Sequence, residues 1–148
     1  MNRLLLAVDG SDHSRRAAML AGEMSASMDS LVDIVYVMPD RTAVPDGALR
    51  EYARVEHVHL PDGAILEAAG RSVVAQAARL VKEAGGKVAD ATIAFGKPAP
   101  VIVALADELG ADCIIMGRRG LGDIQGLVMG SVSHRVGQLS ARTLVTTA

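Results

Sequence analysis

Short apolar runs alternate along this chain with longer stretches in which apolar residues recur every three or four positions. Leu4-Leu5-Leu6-Ala7-Val8 is apolar without interruption, as expected of a strand buried on both faces. It stops at Asp9-Gly10-Ser11, where Ser11 or Asp12 is placed to cap a helix running to about Met28. Ala17, Ala18, Ala21 and Met24 form the inward stripe of that helix, and small side chains there permit close packing on a sheet. Leu31 to Val37 reads as a second strand. Helical spacing returns from Ala64 with Leu66, Ala69, Val73, Val74, Ala77, Leu80, Val81 and Ala84, and Gly85-Gly86 stops it. Val88 to Phe95 is a third strand. Pro98 then opens a helix carrying Val101, Ile102, Leu105 and Leu109, with Gly110 past its end. Asp112 to Met116 reads as a fourth strand. Val132, Val136 and Leu139 face inward from a last helix, and Thr143 to Thr146 form a final strand.

Strands alternating with helices imply an α/β fold, a doubly wound parallel sheet covered by helices on both faces. Right-handed crossovers restrict its winding to a few arrangements. In such open sheets ligands sit beyond the carboxyl ends of the strands, where the winding reverses. The Asp9 and Gly117 turns both follow strand carboxyl ends, so they face one crevice if strands one and four are neighbours. The stretch from Pro39 to Gly63 breaks the pattern. It holds Pro39, Pro45 and Pro61, many charges and little periodicity beyond Leu49, Tyr52, Ala53 and Val55. It reads as a long surface connection with room for one short helix, and connections of that length are uncommon unless functional or disordered. Tandem repeats and low-complexity tracts are not evident.

Composition narrows the function. A length of 148 residues suits one domain. Half the residues are hydrophobic but only 2% are aromatic, so Ala, Val, Ile, Leu and Met must build the core. Two tyrosines, one phenylalanine and a net charge of -2 leave neither stacking platforms nor a basic surface, which argues against nucleic acid as a partner. No apolar run approaches the roughly 20 residues needed to span a bilayer. Asp9 and Asp12 interrupt the N-terminal apolar run, unlike an export signal. The single cysteine, Cys113, lies in an apolar run and suits a reducing cytoplasm.

The most specific chemistry follows the fourth strand. Gly117-Arg118-Arg119-Gly120 comes directly after Cys113-Ile114-Ile115-Met116, and Gly130-Ser131 opens the last helix. The spacing is G-x₂-G-x₉-G-[ST]. Backbone N–H groups at a helix start lack internal partners and carry partial positive charge, which favours an anion. Glycine lets the backbone approach that anion without an intervening Cβ. One charge at a helix start gains ~0.3–1 kcal/mol, or about 2 when partly buried. Micromolar affinity needs roughly 8 kcal/mol, and burying ~100 Å² of a base adds about 2.5. Binding is therefore expected to need both turns, with Asp9 supplying directional hydrogen bonds.

With these residues in hand, the chain resembles the universal stress protein family over nearly its whole length, from Leu5-Leu6-Ala7-Val8-Asp9-Gly10-Ser11 to the last strand. The Gly117-x₂-Gly120-x₉-Gly130-Ser131 spacing is similar to the motif of its ATP-binding branch. The resemblance implies a single five-stranded, Rossmann-like sheet of order 3-2-1-4-5, with strands one and four side by side. It also implies a cytoplasmic, nucleotide-responsive regulatory module of the stress response. Asp9 would meet ribose or adenine, and Ala7 and Val8 would line the base. Val37 would contact adenine through its backbone, and Met116 would sit at the end of strand four. Gly117, Gly120, Gly130, Ser131 and Val132 would hold ribose and phosphates. Arg118 and Arg119 occupy positions that vary in the family and are expected to reach phosphate. Mg²⁺ or Mn²⁺ would ride on the phosphates, since the sequence offers no dedicated metal cage. A homodimer through the last strand is implied as well. Two departures stand out: Asp123 with the extra glycines Gly122 and Gly126 in the spacer, and Ser140-Ala141-Arg142 where a Pro-Cys-Pro run is common.

Plainer readings exist for each feature. The glycines could end a strand and turn a loop, Ser131 and Ser11 could be helix caps, and the arginines a solvated pair. His57-x-His59 has no third ligand nearby for a metal. His13 and His134 suit surface or capping roles, and Cys113 the core. The family also has a branch that binds no nucleotide and acts as a dimeric interaction module, which remains the alternative. An enzyme is the third reading. No nucleophile–base pair, G-x₄-G-K-[ST] loop or G-x-S-x-G turn is present, and Asp9-Gly10-Ser11-Asp12-His13-Ser14 is not the Ser-Gly-Gly-x-Asp-Ser loop of an ATP pyrophosphatase. Catalytic residues are therefore not expected, with slow ATP hydrolysis left open.

Overall fold

The uninterrupted apolar runs become strands because helices cover both of their faces. The computed structural model describes residues 1–38, 63–121 and 129–148. Among these, five strands are β1 (Arg3–Ala7), β2 (Leu31–Met38), β3 (Lys87–Phe95), β4 (Cys113–Gly117) and β5 (Thr143–Thr147). Four helices are α1 (Asp12–Met28), α2 (Gly63–Glu83), α3 (Pro98–Leu109) and α4 (Ser131–Leu139). The connection expected from Pro39 to Gly63 lies outside the described residues up to 62, as do His57 and His59. Gly63 itself opens α2.

The strands form one sheet of order β3-β2-β1-β4-β5, all parallel. This is the doubly wound, Rossmann-like order with the reversal between β1 and β4. Successive β1 side chains alternate between two cores, as the pleat requires. Leu4, Leu6 and Val8 join Ala17, Ala18 and Ala21 of α1 and Val74, Ala77 and Val81 of α2 on one face. Leu5 and Ala7 join Ala99, Ile102 and Ala106 of α3 and Val136 of α4 on the other. Leu4, Leu5 and Leu6 are all fully buried.

Helix boundaries follow local chemistry. Ser11, not Asp12, is the N-cap of α1, its hydroxyl accepting from the Ser14 amide at 3.2 Å. Gly110 closes α3 in the left-handed conformation at φ 63°, its N–H bonding to the Ala106 and Asp107 carbonyls. Two parts of the apolar pattern do not reach the core. Leu66 and Ala69 at the start of α2 are exposed, and Gly70 is buried there instead. The reason is proximity: a Cβ at Gly70 would lie 3.0 Å from Cδ1 of Tyr36, so the helix meets the sheet on its glycine. Leu139, on the last turn of α4, is likewise exposed. Among the described residues no helix is long and apolar enough to cross a membrane.

Candidate functional site

Because β1 and β4 are adjacent and parallel, with Ala7 opposite Met116, their carboxyl ends deliver two turns to one place. Asp9 joins them. Its Oδ1 accepts from the Ser11 amide at 2.9 Å, and its Oδ2 accepts from the Leu121 amide at 3.1 Å, across 112 positions of chain. The Asp9 amide in turn donates to the Ser14 hydroxyl at 3.1 Å. A carboxylate accepting two backbone amides is held in one orientation.

These turns wall a cavity of about 400 Å³ over the carboxyl ends of β1, β2 and β4. All twelve residues singled out from the sequence line it: Ala7, Val8, Asp9, Val37, Met116, Gly117, Arg118, Arg119, Gly120, Gly130, Ser131 and Val132. One wall is apolar, formed by Ala7, Val37, Met116 and Val132, with Pro98 and Ile102 of α3. The other is polar, formed by the β4–α4 loop and the first turn of α4. The spacer residues Gly122, Asp123 and Gly126 lie outside the described residues.

The glycines have a physical reason other than backbone freedom. Neither Gly117 nor Gly120 has a positive φ. A Cβ at Gly117 would lie 2.8 Å from the His13 Cβ and 2.9 Å from the Ser14 amide nitrogen, so the first turn of α1 fills that space. A Cβ at Gly120 would lie 2.2 Å from Asp9 Oδ2. Both glycines let protein approach protein, and the loop closes onto Asp9 as a result. Gly130 is the N-cap of α4 at φ -74°, an ordinary extended conformation, and it caps without a side-chain hydrogen bond.

The loop is fastened on both sides. The Arg118 amide donates to the Thr147 carbonyl at 2.7 Å. The Arg118 carbonyl accepts from the Gly130 amide at 2.8 Å and the Ser133 hydroxyl at 2.7 Å. The His13 ring nitrogen Nδ1 lies 3.2 Å from the same Thr147 carbonyl, whose residue returns a bond from Oγ1 to the His13 carbonyl at 2.8 Å. His13 thus ties α1 to β5, and His134 is exposed on α4. Arg118 and Arg119 are not a fully solvated pair: the Nε of each is buried and has no hydrogen-bond partner.

Sequence reasoning missed Ser14, Val35, Tyr36, Pro98, Ile102, Leu121 and Ser133, which also line the cavity. Ser14 and Ser133 carried a signal, as hydroxyl residues in the first turns of helices that follow the two glycine turns. Pro98 and Ile102 carried none, because only the winding of the sheet brings α3 over β2 and β1. Cys113 is fully buried in β4, and burial pushes its thiol pKa up, with Asp112 adding to the shift. It is a core residue. Among the described residues no three His, Cys, Asp or Glu side chains come together as a metal would require.

A doubly wound parallel sheet with a cavity at its reversal defines a class of small α/β proteins that bind ligands over their strand ends. The universal stress protein family model matches residues 1–145, and the chain belongs to that family. Universal stress protein YxiE of Bacillus subtilis is 29% identical over 139 residues, covering 94% of this chain and 93% of its own. A universal stress protein of Thermus aquaticus is 32% identical over 139 residues, covering 90% and 88%. Among solved structures, a universal stress protein in complex with cAMP superposes with a TM-score of 0.68 at 24% identity, covering 99% of this chain and 95% of that one. The Archaeoglobus fulgidus universal stress protein in complex with dAMP gives 0.67 at 20%, covering 100% and 98%. At these identities the structures establish the fold that is shared.

Proposed function

We propose that this chain is an ATP-binding universal stress protein, acting as a nucleotide-responsive regulatory module in the stress response. The observation that carries the reading is the Asp9 carboxylate bound to the Leu121 amide, which makes one cavity of two turns distant in sequence. An apolar wall suited to a base faces a polar loop suited to phosphates across that cavity. The cAMP and dAMP complexes of two proteins of this fold support an adenine nucleotide as the ligand class. In the reading proposed, Ala7, Val8 and Val37 hold adenine, Asp9 meets ribose or adenine, and Gly117, Gly120, Gly130, Ser131 and Val132 hold ribose and phosphates. Mg²⁺ or Mn²⁺ rides on the phosphates rather than in a protein cage. Function then comes from binding and partner selection, not turnover, and a homodimer forms through the β5 edge.

Mass spectrometry of small molecules released from natively purified protein tests the ligand, with ATP expected. Gly130→Val is the informative substitution, since the extended backbone there suits any residue and Gly130 lines the cavity. ATP affinity is expected to fall by tenfold or more, on the order of 1.4 kcal/mol, with the thermal melt of the free protein retained. Gly117 is a poor choice because any side chain there collides with α1. A purified protein that carries no nucleotide and shows no thermal shift with ATP would favour the interaction-module branch. Phosphate release above the spontaneous rate, and lost in Gly130→Val, would establish an ATPase.

A further inference from the structure

We infer that Asp9 is a positioning residue, whose carboxylate sets where the β4–α4 loop stands against the turn after β1. The inference rests on the adenine-nucleotide reading above and adds to it a task for Asp9 within the chain, beside any contact with the nucleoside. Its two oxygens accept from two different turns, Oδ1 from the Ser11 amide at 2.9 Å and Oδ2 from the Leu121 amide at 3.1 Å. The first bond closes a local turn on the aspartate's own side chain, which fixes its rotamer. The second oxygen is thereby aimed across at the other turn.

The two ends of this link are held differently. The Asp9 amide donates to the Ser14 hydroxyl at 3.1 Å, and Ser14 is 4% exposed in the first turn of α1. Leu121 is 70% exposed. An apolar side chain left in water adds little to the placement of its own backbone, so the amide bond to Asp9 anchors that end of the loop. The other end has fastenings of its own, since the Arg118 backbone bonds to Thr147, Gly130 and Ser133. The approach is close as well. A Cβ at Gly120 would lie 2.2 Å from Asp9 Oδ2, so only glycine lets the loop come this near the carboxylate.

The link needs an acid and not its amide. Two N–H groups face two oxygens, and an ionised carboxylate accepts at both, whereas asparagine offers one acceptor and one donor. Asp9→Asn keeps the shape and turns a donor toward one of the two amides. Gly117 to Leu121 wall the polar side of the cavity, while Ala7, Val37, Met116 and Pro98 wall the apolar side. A shift of the loop therefore reaches the phosphate end of the ligand and leaves the base wall in place. A residue that only touched the nucleoside would weaken adenosine and ATP by the same factor. One that places the loop weakens ATP more.

Amide hydrogen exchange followed by NMR on protein stripped of nucleotide, with isothermal titration of adenosine and ATP in EDTA, tests this on wild type and Asp9→Asn. The Leu121 amide is expected to be protected in wild type and to exchange about tenfold faster or more in the variant, with the amides of β1 and β4 unchanged. ATP affinity should fall about tenfold or more, as for one charged hydrogen-bonding group, and adenosine affinity about threefold or less. Where Asp9→Asn melts early, Gly120→Ala breaks the same contact from the side of the loop, and the same results are expected. A Leu121 amide that is unprotected in wild type, or unchanged in the variant, overturns the proposal. So do equal losses for adenosine and ATP, which would leave Asp9 a nucleoside contact and the adenine reading intact. Failure of wild type to bind either compound removes the adenine reading itself, and exchange at Leu121 then decides the positioning role alone.

Discussion

At the scale of single residues, a charge pair with one buried partner lies at the end of the sheet away from the cavity. Arg3 meets Asp33 through two bonds, Nε to Oδ2 at 2.6 Å and Nη2 to Oδ1 at 3.0 Å. Asp33 is 4% exposed, and its carboxylate raises the Arg3 pKa by hydrogen bonding first and charge second. Removing one partner strands the other, which costs more than replacing both. Arg3→Met is therefore expected to lower Tm further than the double change Arg3→Met with Asp33→Val, as calorimetry would read directly. Asp112 is different, an exposed carboxylate whose Oδ2 accepts the Arg3 and Asn2 amides at 3.0 and 2.7 Å. Those bonds lower its pKa, and Asp29 is lowered by its bond to Lys87. Depressed carboxylates stabilise the fold above their unfolded pKa of about 3.9, and that contribution is lost as pH falls through the lower folded value. Asp112→Asn should be less stable than wild type at pH 7. The gap should begin to narrow in urea titrations below about pH 3.9 and close only as pH passes below the depressed folded value.

At the scale of elements, two glycines that look alike in sequence have opposite roles. Gly22 sits where α1 crosses α2, and a Cβ there would lie 2.5 Å from the Val81 carbonyl and 2.6 Å from the Ala84 Cβ. Gly22→Ala forces two helices apart and is expected to destabilise by about 1–3 kcal/mol. Among the described residues, a Cβ at Gly137, in the middle of α4, would meet only Leu144 Cδ2 at 3.4 Å. Gly137→Ala removes backbone freedom from the unfolded chain at little steric cost, with an expected gain of about 0.5–1 kcal/mol. Urea denaturation of the two variants side by side separates these outcomes. The same contrast explains how much of the elements was legible beforehand. Ala17, Ala18 and Ala21 faced inward as their spacing required, because α1 lies flat on the sheet. Leu66 and Leu139 had the right spacing and are exposed, because a helical stripe extends past the layer it packs on. Gly70 was invisible to hydrophobic patterning, since a glycine chosen for contact with Tyr36 contributes nothing to it.

At the scale of the whole molecule, β5 closes one edge of the sheet and reaches the cavity loop. Its Thr147 carbonyl accepts from the Arg118 amide, and Arg16 donates to the Ala148 carbonyl from α1. Ser140 and Arg142, the two ends of the run where the resemblance leads one to expect Pro-Cys-Pro, are used internally. Arg142 donates to Asp107 at 3.1 Å and to the Ala111 carbonyl at 2.7 Å, bracing the start of β5. Among the described residues β5 pairs on one side only, and such an edge strand invites another strand, which fits the proposed homodimer. Sedimentation equilibrium is expected to give the mass of two chains at micromolar concentration. A monomer mass there would remove β5 as a self-association edge.

By itself the sequence determined the alternation of strands and helices, since uninterrupted apolar runs and apolar spacing of three and four residues depend only on the period of each backbone. It also determined that Asp9 and the Gly117 loop follow strand ends. Only the tertiary structure decided that β1 and β4 are neighbours, that α3 supplies Pro98 and Ile102 to the cavity, and that Gly117 and Gly120 make room for α1 and Asp9. Those facts depend on contacts between residues about a hundred positions apart, and no local pattern encodes which distant surface a side chain will meet.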